Sequence, residues 1–469
     1  MSSTVYVVHC IDTEGPLHES IDATFERLGA IFGLALEPSR ENLRKLQAGE
    51  IDLDGREAAV QRVVDPHLLA YNDSWDKVDL MLEDAMSERF RRQMTDSAGG
   101  GWIYNWFCVD HVDYRVNPRR RDIGFHNVFD HYGGLIRDNA SPQDGIHFHY
   151  HPHPFGGEAH YCATHWWASS DSLHQVLSRR IIDRAWFPAA NRAGFHVIRP
   201  DSHWFLEQHM PFDFSNQAAR PAQNDDAQYG LTGGRYGDWR RAPANWQPYH
   251  PAADDYQVPG NCRRWSTRCL NVGTRYRLLD EDDVRQAFRE AREGNPVVLA
   301  FTDHDFRDLR PDVGSVLALI AKVAADFPEV PFEFSEAIDA MRRSLGIVSQ
   351  PPCDLDLAIT DIGGGRHVME VRSACPTFGP QPWLALRTVS GTYHFDNFDI
   401  ERPFHHWRYV FDIETFPLAS LSAVGVAVNN AYGTTTVSLL DPRTTKVERR
   451  YLNADTGTDG AKAASRGRF

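Results

Sequence analysis

The stretch TVYVVHCIDTEG, residues 4–15, joins an apolar run to two carboxylates. Residues 4–11 are almost continuously apolar, which is typical of a strand buried on both faces of a parallel sheet. Asp12 and Glu14 follow directly. In parallel α/β folds, the loops after the carboxyl ends of the strands converge on one face and build the active site. The stretch therefore predicts an α/β fold with a carboxylate-bearing site at one end of its sheet.

The same pattern of short apolar runs recurs along the chain. Further strands are predicted at residues 102–107, 145–149, 194–198, 296–301 and 330–334. Helices are predicted between and after them at 280–294, 313–327 and 335–345, the last with Ser335 as its N-cap. Strands that alternate with helices over roughly 345 residues predict a (β/α) barrel.

The chain divides into regions of different character. The barrel is predicted to occupy residues 1–348, with a mainly helical insert at 17–98 whose last helix has an apolar face used for packing. After Pro351 and Pro352, residues 353–452 are rich in β-branched and aromatic residues with regular turn signals, which predicts a β-sandwich. The polar tail, 453–469, is predicted to be disordered.

The amino-acid composition and charge of the chain exclude several classes of protein. Hydrophobic residues make up 42% and charged residues 24% of the 469-residue chain, values typical of a globular protein. The net charge is −15, and the longest basic run is Arg119-Arg120-Arg121, which argues against a nucleic-acid partner. The sequence contains no run of about 18 apolar residues, so no membrane span is predicted. Seven cysteines without a CxxC pair predict a reduced, cytoplasmic protein.

The run DGIHFHYHPHP, residues 144–154, carries histidines at every second position, namely His147, His149, His151 and His153. Neutral imidazole is the commonest protein ligand of transition metals, which favours a metal site. The alternative is one polar face of a strand, which also has period two.

Two further polar groups follow predicted strands. Arg199 comes after 194–198, and His304 comes after 296–301. Because the carboxyl ends of parallel strands meet at one edge, carboxylate, imidazole and guanidinium groups are expected to converge there. More ordinary roles stay open: Asp12 and Glu14 as a helix N-cap, Arg199 as a structural ion-pair partner, and His304 as a loop residue satisfied by a neighbouring aspartate.

Together these motifs, over roughly residues 4–345, resemble the polysaccharide deacetylases with the NodB-homology domain (carbohydrate esterase 4-like). The tighter likeness is to the divergent deacetylase-like proteins of O-antigen and surface-polysaccharide gene clusters. The resemblance implies a distorted, incomplete (β/α) barrel and metal-dependent N- or O-deacetylation of a sugar. It makes Asp12 the general base and Glu14 the metal carboxylate, although one extra residue separates these acids.

The second family motif aligns on Ile146 and implies His149 and His153 as the metal histidines. His147 and His151 have the same spacing and form the competing pair, and His151 is also a candidate supplementary ligand. A ligand set of one carboxylate and two imidazoles suits Zn²⁺ first, with Co²⁺, Ni²⁺ or Mn²⁺ as alternatives.

The remaining motifs imply catalytic roles. Arg199 would hold the catalytic carboxylate, and His304 would act as general acid. The expected partner is an acetylated sugar or glycan, and the sequence carries no signal for oligomeric state. Two other classes remain: a metal hydrolase of the amidohydrolase or polymerase-and-histidinol-phosphatase type, and a non-catalytic metal- or carbohydrate-binding protein of glycan assembly. The former carries His-x-His after its first strand, where this chain has Asp12 and Glu14.

Overall fold

The computed structural model describes residues 2–152, 165–220 and 237–454. Its first part is a closed barrel of seven parallel strands, in which each strand pairs with the next and β1 pairs with both β2 and β7. The predicted α/β barrel is confirmed. The strands are β1 (Val5–Thr13), β2 (Tyr104–Cys108), β3 (Gly145–Tyr150), β4 (Ala190–Ala193), β5 (Phe212–Asn216), β6 (Trp265–Asn271) and β7 (Val297–His304).

One short strand and one helix complete the amino-terminal end of the barrel. The strand β8 (Phe332–Phe334) pairs with the first residues of β1, below the point where β2 joins. Tyr6, Val8 and Cys10 of β1 pack inside the barrel together with Ile338 and Met341 of the helix that follows β8. This apolar packing closes one end of the barrel and leaves the other end for polar groups.

Among the described residues, five helices follow barrel strands and a sixth follows β8. They are α6 (Asn127–Asp138), α7 (Ser170–Arg184), α8 (Pro200–His209), α9 (Glu281–Arg292), α10 (Leu309–Ala324) and α11 (Ala337–Leu345). One face of α9 is buried through Val284, Ala287, Phe288 and Ala291, and its N-cap Asp280 accepts a hydrogen bond from the Asp283 backbone N–H. The N-cap of α11 is Glu336, one residue after the predicted Ser335.

The insert before β2 is helical. Its helices are α1 (Ile21–Phe32), α2 (Arg40–Ala48), α3 (Glu57–Val63), α4 (Trp75–Ala85) and α5 (Glu88–Arg91). The first three share a small core that includes Phe25, Leu28 and Val60, whereas α4 packs Val78 and Leu82 into the main core. The packing role predicted for α4 agrees with this burial.

The fourth strand differs from the prediction. Residues 194–198 were expected to form it, but β4 is Ala190–Ala193, and Gly194–His196 is a short 3-10 turn. Within that turn, Phe195 and His196 have φ of 50° and 55°. The reason for the shift is that β4 carries the buried polar side chains of Asn191 and Arg192, so its sequence lacks the apolar pattern of a barrel strand.

Antiparallel sheets form the carboxyl-terminal region. A four-stranded sheet has the order β13-β14-β10-β9, and a five-stranded sheet has the order β12-β11-β15-β16-β17. The strands are β9 (Leu355–Gly363), β10 (Arg366–Ser373), β11 (Trp383–Thr388), β12 (Tyr393–Asp396), β13 (Asp399–Arg402), β14 (His406–Phe411), β15 (Leu421–Asn429), β16 (Thr435–Leu440) and β17 (Val447–Leu452).

The two sheets share a core, to which Met369 and Trp407 contribute from one sheet and Leu384 and Val426 from the other. Strands β11, β12 and β15 also contact α7 of the barrel. Residues 455–469 of the predicted disordered tail lie outside the described part. Within the described residues, no helix is long and apolar enough to cross a membrane.

Candidate metal centre and active site

The candidate site lies inside the barrel at the carboxyl ends of its strands. Asp12 of β1 is in register with His304 of β7, and His149 of β3 is in register with Arg192 of β4. Each of these residues continues the alternation of its strand that places side chains inside the barrel. The sequence prediction that Asp12, His149 and His304 converge on one face agrees with this geometry.

Asp12 is buried and forms an ion pair with Arg192. Its Oδ1 lies 3.5 Å from His149 Nδ1, and its Oδ2 lies 3.5 Å from His304 Nε2. Burial raises the pKa of Asp12 to about 7, against the opposing effect of Arg192. A carboxylate with a pKa near neutrality can both take and release a proton at physiological pH.

Glu14, His149 and His151 form a cluster of ligand-type atoms. One ligand atom from each residue lies within 4.8 Å of the other two. The two imidazole Nε2 atoms are 2.9 Å apart, and His151 Nε2 is 3.5 Å from Glu14 Oε1. One carboxylate and two imidazoles form a ligand set that suits Zn²⁺ and related transition metals.

The backbone orients the first imidazole of this cluster. His149 Nδ1–H donates to the carbonyl oxygen of Arg192 over 2.7 Å, which leaves the Nε2 lone pair directed at the cluster. Burial holds the pKa of His149 well below its usual value, so this imidazole is neutral. A neutral imidazole with a fixed tautomer is the form that binds a metal ion.

Glu14 is held by its neighbours. The backbone N–H groups of Glu14 and Gly15 donate to the two carboxylate oxygens of Asp305, over 2.9 and 2.8 Å. His111 Nε2 donates to the Glu14 carbonyl oxygen over 2.8 Å, and Arg121 pairs with Glu14 Oε2 over 2.5 Å. Burial opposes ionisation, but Arg121 and His151 outweigh it and hold the pKa of Glu14 well below its usual range.

The alternative N-cap role for Asp12 and Glu14 is not found. The N-cap of the next helix, α1, is Ser20, whose side chain accepts a hydrogen bond from the Ala23 backbone N–H. The two carboxylates face the barrel interior instead.

The four alternating histidines have different surroundings. His147 lies deeper in the barrel, where its Nε2 is 2.9 Å from Glu336 Oε1 and 3.3 Å from Asn105 Oδ1. The competing pair of His147 and His151 therefore does not form. His153, favoured as the partner of His149, lies outside the described residues, and His151 supplies the second imidazole among those described.

The position that the resemblance assigns to Arg199 is taken by Arg192. Arg199 instead precedes α8, where its backbone N–H donates to Ser202 Oγ, and its side chain contacts Tyr256. The misassignment follows from the displaced strand, because the true β4 ends before residue 194 and brings Arg192 to the barrel interior.

His304 does not have the ordinary loop role that the sequence left open. Of the neighbouring aspartates, Asp303 pairs with His9 and Asp305 accepts from Glu14, Gly15 and Tyr132. Burial holds the pKa of His304 well below its usual value, so its imidazole is neutral. The ring lies beside Phe306, with centroids 4.7 Å apart.

A cavity of about 140 Å³ opens over these groups. Asp12, Glu14, His151 and His304 line its base. Most of the cavity wall was not predicted from the sequence, namely Arg27, Tyr71, Tyr114, Arg119, Arg121, Phe195, His196, Arg275, Tyr276, Phe306 and Arg307. As a basic run, residues 119–121 bear on nucleic-acid binding, and nothing in that local sequence indicates a place in this cavity.

His196 belongs to the same region. It is buried and lies between Arg192 Nη2 and Gln217 Nε2, which is 2.7 Å from His196 Nε2. The positive φ of His196 is a strained conformation for a residue with a bulky side chain, and such residues cluster at functional sites.

Comparison of the chain with protein-family models and with curated proteins returned no match.

Proposed function

We propose that the protein is a metal-dependent hydrolase that removes an acetyl group, bound through nitrogen or oxygen, from a sugar of surface-polysaccharide metabolism. The main support is that Asp12, Glu14, His151 and His304 line one cavity, and that Glu14 and His151 form a cluster of donor atoms with His149. The likeness of the sequence motifs to polysaccharide deacetylases supports the same reaction.

Glu14, His149 and His151 would hold the metal ion, because their donor atoms are close together, the imidazole of His149 is neutral and Glu14 is ionised. A divalent ion, Zn²⁺ first by its ligand preferences, supplies Lewis acidity for a carbonyl group and lowers the pKa of water. Co²⁺, Ni²⁺ and Mn²⁺ are alternatives for the same donors.

Asp12 is the proposed general base. Its Oδ2 atom is on the side of His304, and its Oδ1 atom is held by Arg192. The guanidinium fixes the direction of the carboxylate, while burial keeps the pKa of Asp12 at about 7. Asp12 therefore takes a proton from the attacking water without the carboxylate having to reorient.

His304 is the proposed proton donor to the leaving group. Because burial holds its imidazole neutral, it has to receive a proton before it can give one. Asp12 Oδ2 is 3.5 Å from His304 Nε2 and can pass on the proton that it takes from water. The water proton then moves from Asp12 to His304 and on to the departing amine or alkoxide.

A reducing compartment, the cytoplasm, is part of the proposal. The six cysteines in the described residues are all free, and Cys10 and Cys269 are neighbours inside the barrel without a disulfide. Disulfides are rare in reducing compartments. In the cytoplasm, a small activated or lipid-linked glycan is a more accessible substrate than a wall polymer.

Metal analysis combined with acetate release from a panel of N- and O-acetylated sugars tests the proposal. Wild-type protein should release acetate. Asp12→Asn and His304→Ala should keep their bound metal but lower turnover by a factor of about 10² or more.

Arg240→Gln is the control, because Arg240 pairs with Asp238 on the surface. Bound metal without acetate release from any sugar would favour a non-catalytic binding protein and contradict the proposal. Phosphate release from sugar phosphates, without acetate release, would move the protein to the phosphatase class.

A further inference from the structure

The wall of the active-site cavity is basic, although the protein as a whole is acidic. Five arginines line the cavity, and the only carboxylates among its described lining residues are Asp12 and Glu14. The net charge of the chain is −15. A concentration of cations in one cavity of an acidic protein indicates a local function for the positive charge.

The arginines come from separate segments of the chain. Arg27 is on α1, Arg119 lies between β2 and α6, Arg275 follows β6, and Arg307 follows β7. Arg275 Nε donates to the Val63 carbonyl oxygen over 3.1 Å, so the loop after β6 is attached to the helical insert. The insert thus forms one wall of the cavity, and guanidinium groups reach it from several directions.

One carboxylate next to the cavity, Glu19, is shared among several of these cations. It pairs with Arg27 and also lies close enough to Arg119 and Arg275 for their charges to act on it. Burial opposes its ionisation, but the three arginines together lower the pKa of Glu19 to about 2. The one negative charge of Glu19 therefore stands against the positive charges of three arginines.

The cations also act on one another. Burial and the nearby charge of Arg275 lower the pKa of Arg307 to about 10. Arg307 is buried and keeps hydrogen bonds from Nε to the Leu68 carbonyl oxygen and from Nη1 to the Gly273 carbonyl oxygen, each over 3.3 Å. Like charges held together in a partly buried cavity are unfavourable until an anion joins them.

Several donors of the cavity wall have no hydrogen-bond partner within the described residues. These are Nε and Nη1 of Arg27, Nη1 of Arg121, Nη2 of Arg275 and the hydroxyl of Thr274. All four residues line the cavity. Buried donors are normally paired, so unpaired guanidinium N–H groups around one space are a place for an acceptor with several oxygens.

We propose that Arg27, Arg119, Arg275 and Arg307 form an oxyanion-binding subsite, which takes a phosphate or carboxylate group of the substrate. This proposal about the substrate rests on the proposed deacetylase function, because it states that the acetylated sugar carries an anionic group. Guanidinium groups bind phosphate and carboxylate oxygens in the same paired geometry, so both chemical sources fit the subsite.

Isothermal titration of the full-length protein tests the subsite without any reaction. The probes are inorganic pyrophosphate, glucuronate and, as a neutral sugar, N-acetylglucosamine. Pyrophosphate or glucuronate should bind, and the one that binds more tightly identifies phosphate or carboxylate as the group recognised. The same titration of His149→Ala, which lacks a proposed metal ligand but keeps the arginines, separates the arginines from a metal ion as the anion's partner.

Arg275→Gln should weaken anion binding by about tenfold or more, since a hydrogen bond to a charged group contributes about 1.5–3 kcal/mol. Arg27→Met is a second variant in the insert, and Arg44→Gln, an exposed residue of the same insert paired with Glu50, should bind as wild type. Equal affinity of Arg275→Gln, Arg27→Met and wild type would overturn the subsite, as would binding lost only in His149→Ala. Anion binding that persists while no acetylated sugar is hydrolysed would keep the subsite and reject the deacetylase function.

Discussion

Histidines of the same strand have different surroundings at the two ends of the barrel. The lower end is the one at the amino termini of the strands, and the upper end is the one at their carboxyl termini. His147 and His149 are two residues apart on β3 and point to the same side. At the lower end, His147 meets Glu336 and Asn105, and Asn105 Oδ1 also accepts a hydrogen bond from the Ala337 backbone N–H, over 2.7 Å. At the upper end, His149 turns its Nε2 toward His151 and Glu14.

The difference shows that depth along the strand, rather than residue type, determines whether a histidine meets structural partners or the cluster of ligand-type atoms. The lower end is closed by apolar residues of α11, and its polar groups satisfy one another. The upper end gathers charges and ligand atoms from β1, β3, β4 and β7 around a cavity. Variants at the lower end should therefore keep their metal and activity, whereas variants at the upper end should lose metal, activity or the stability that the pairing of buried charges provides.

The largest expected effect on stability comes from Arg192→Met at the upper end. This change leaves Asp12 as a buried charge without its partner, which costs about 3–5 kcal/mol of unfolding free energy. Arg199→Met is the matched control and should cost about 1 kcal/mol or less, because it removes a contact with Tyr256. Urea unfolding measures both, and an equal or larger loss for Arg199→Met would return to Arg199 the role of holding the catalytic carboxylate.

A smaller effect is expected from Gly194→Ala, which acts on the His151 imidazole and on the neighbouring backbone. An added Cβ would lie 2.7 Å from His151 Cγ and 2.8 Å from the Tyr150 carbonyl oxygen. The imidazole has to move, at a cost of about 1–3 kcal/mol, and metal affinity should fall with it. Gly314→Ala, on α10, meets no atom within 4 Å and should bind metal as wild type. Unchanged metal affinity in Gly194→Ala would remove His151 from the ligand set.

The smallest effect is expected at the lower end, from His147→Gln. The amide can replace the hydrogen bond to Glu336 in part, so stability should fall by about 1 kcal/mol. Acetate release and metal content should stay at wild-type values. A loss of activity without a loss of stability would break the distinction between the two ends.

Much of the fold and part of the site follow from local sequence. The continuous apolar runs of β1, β3 and β7 predict buried parallel strands, and a polar residue directly after such a run lies at the carboxyl end of the barrel. The positions of Asp12, Glu14, His149 and His304 at one end of the barrel follow from these runs. They follow because strand direction and side-chain alternation fix where each of these residues points.

Other parts depend on contacts that local sequence does not encode. The strand β4 has a polar sequence because Arg192 is paired with Asp12 of a distant strand. The apolar residues 194–198 have the pattern of a buried strand, so the sequence predicts the strand there instead. The arginines of the cavity wall lie on α1 and on three separate loops, so no sequence window contains them together. Only the closed barrel and the attached insert bring them to one space.

The central claim is that Glu14, His149 and His151 bind a metal ion at the upper end of the barrel, and bound metal in two matched variants tests it most directly. Wild type and His147→Gln should each retain about one equivalent of a divalent metal per chain after dialysis, because the ligands are intact. His149→Gln should lose most of it while remaining folded by circular dichroism. Full metal content in His149→Gln, or a loss of metal confined to His147→Gln, would contradict the account.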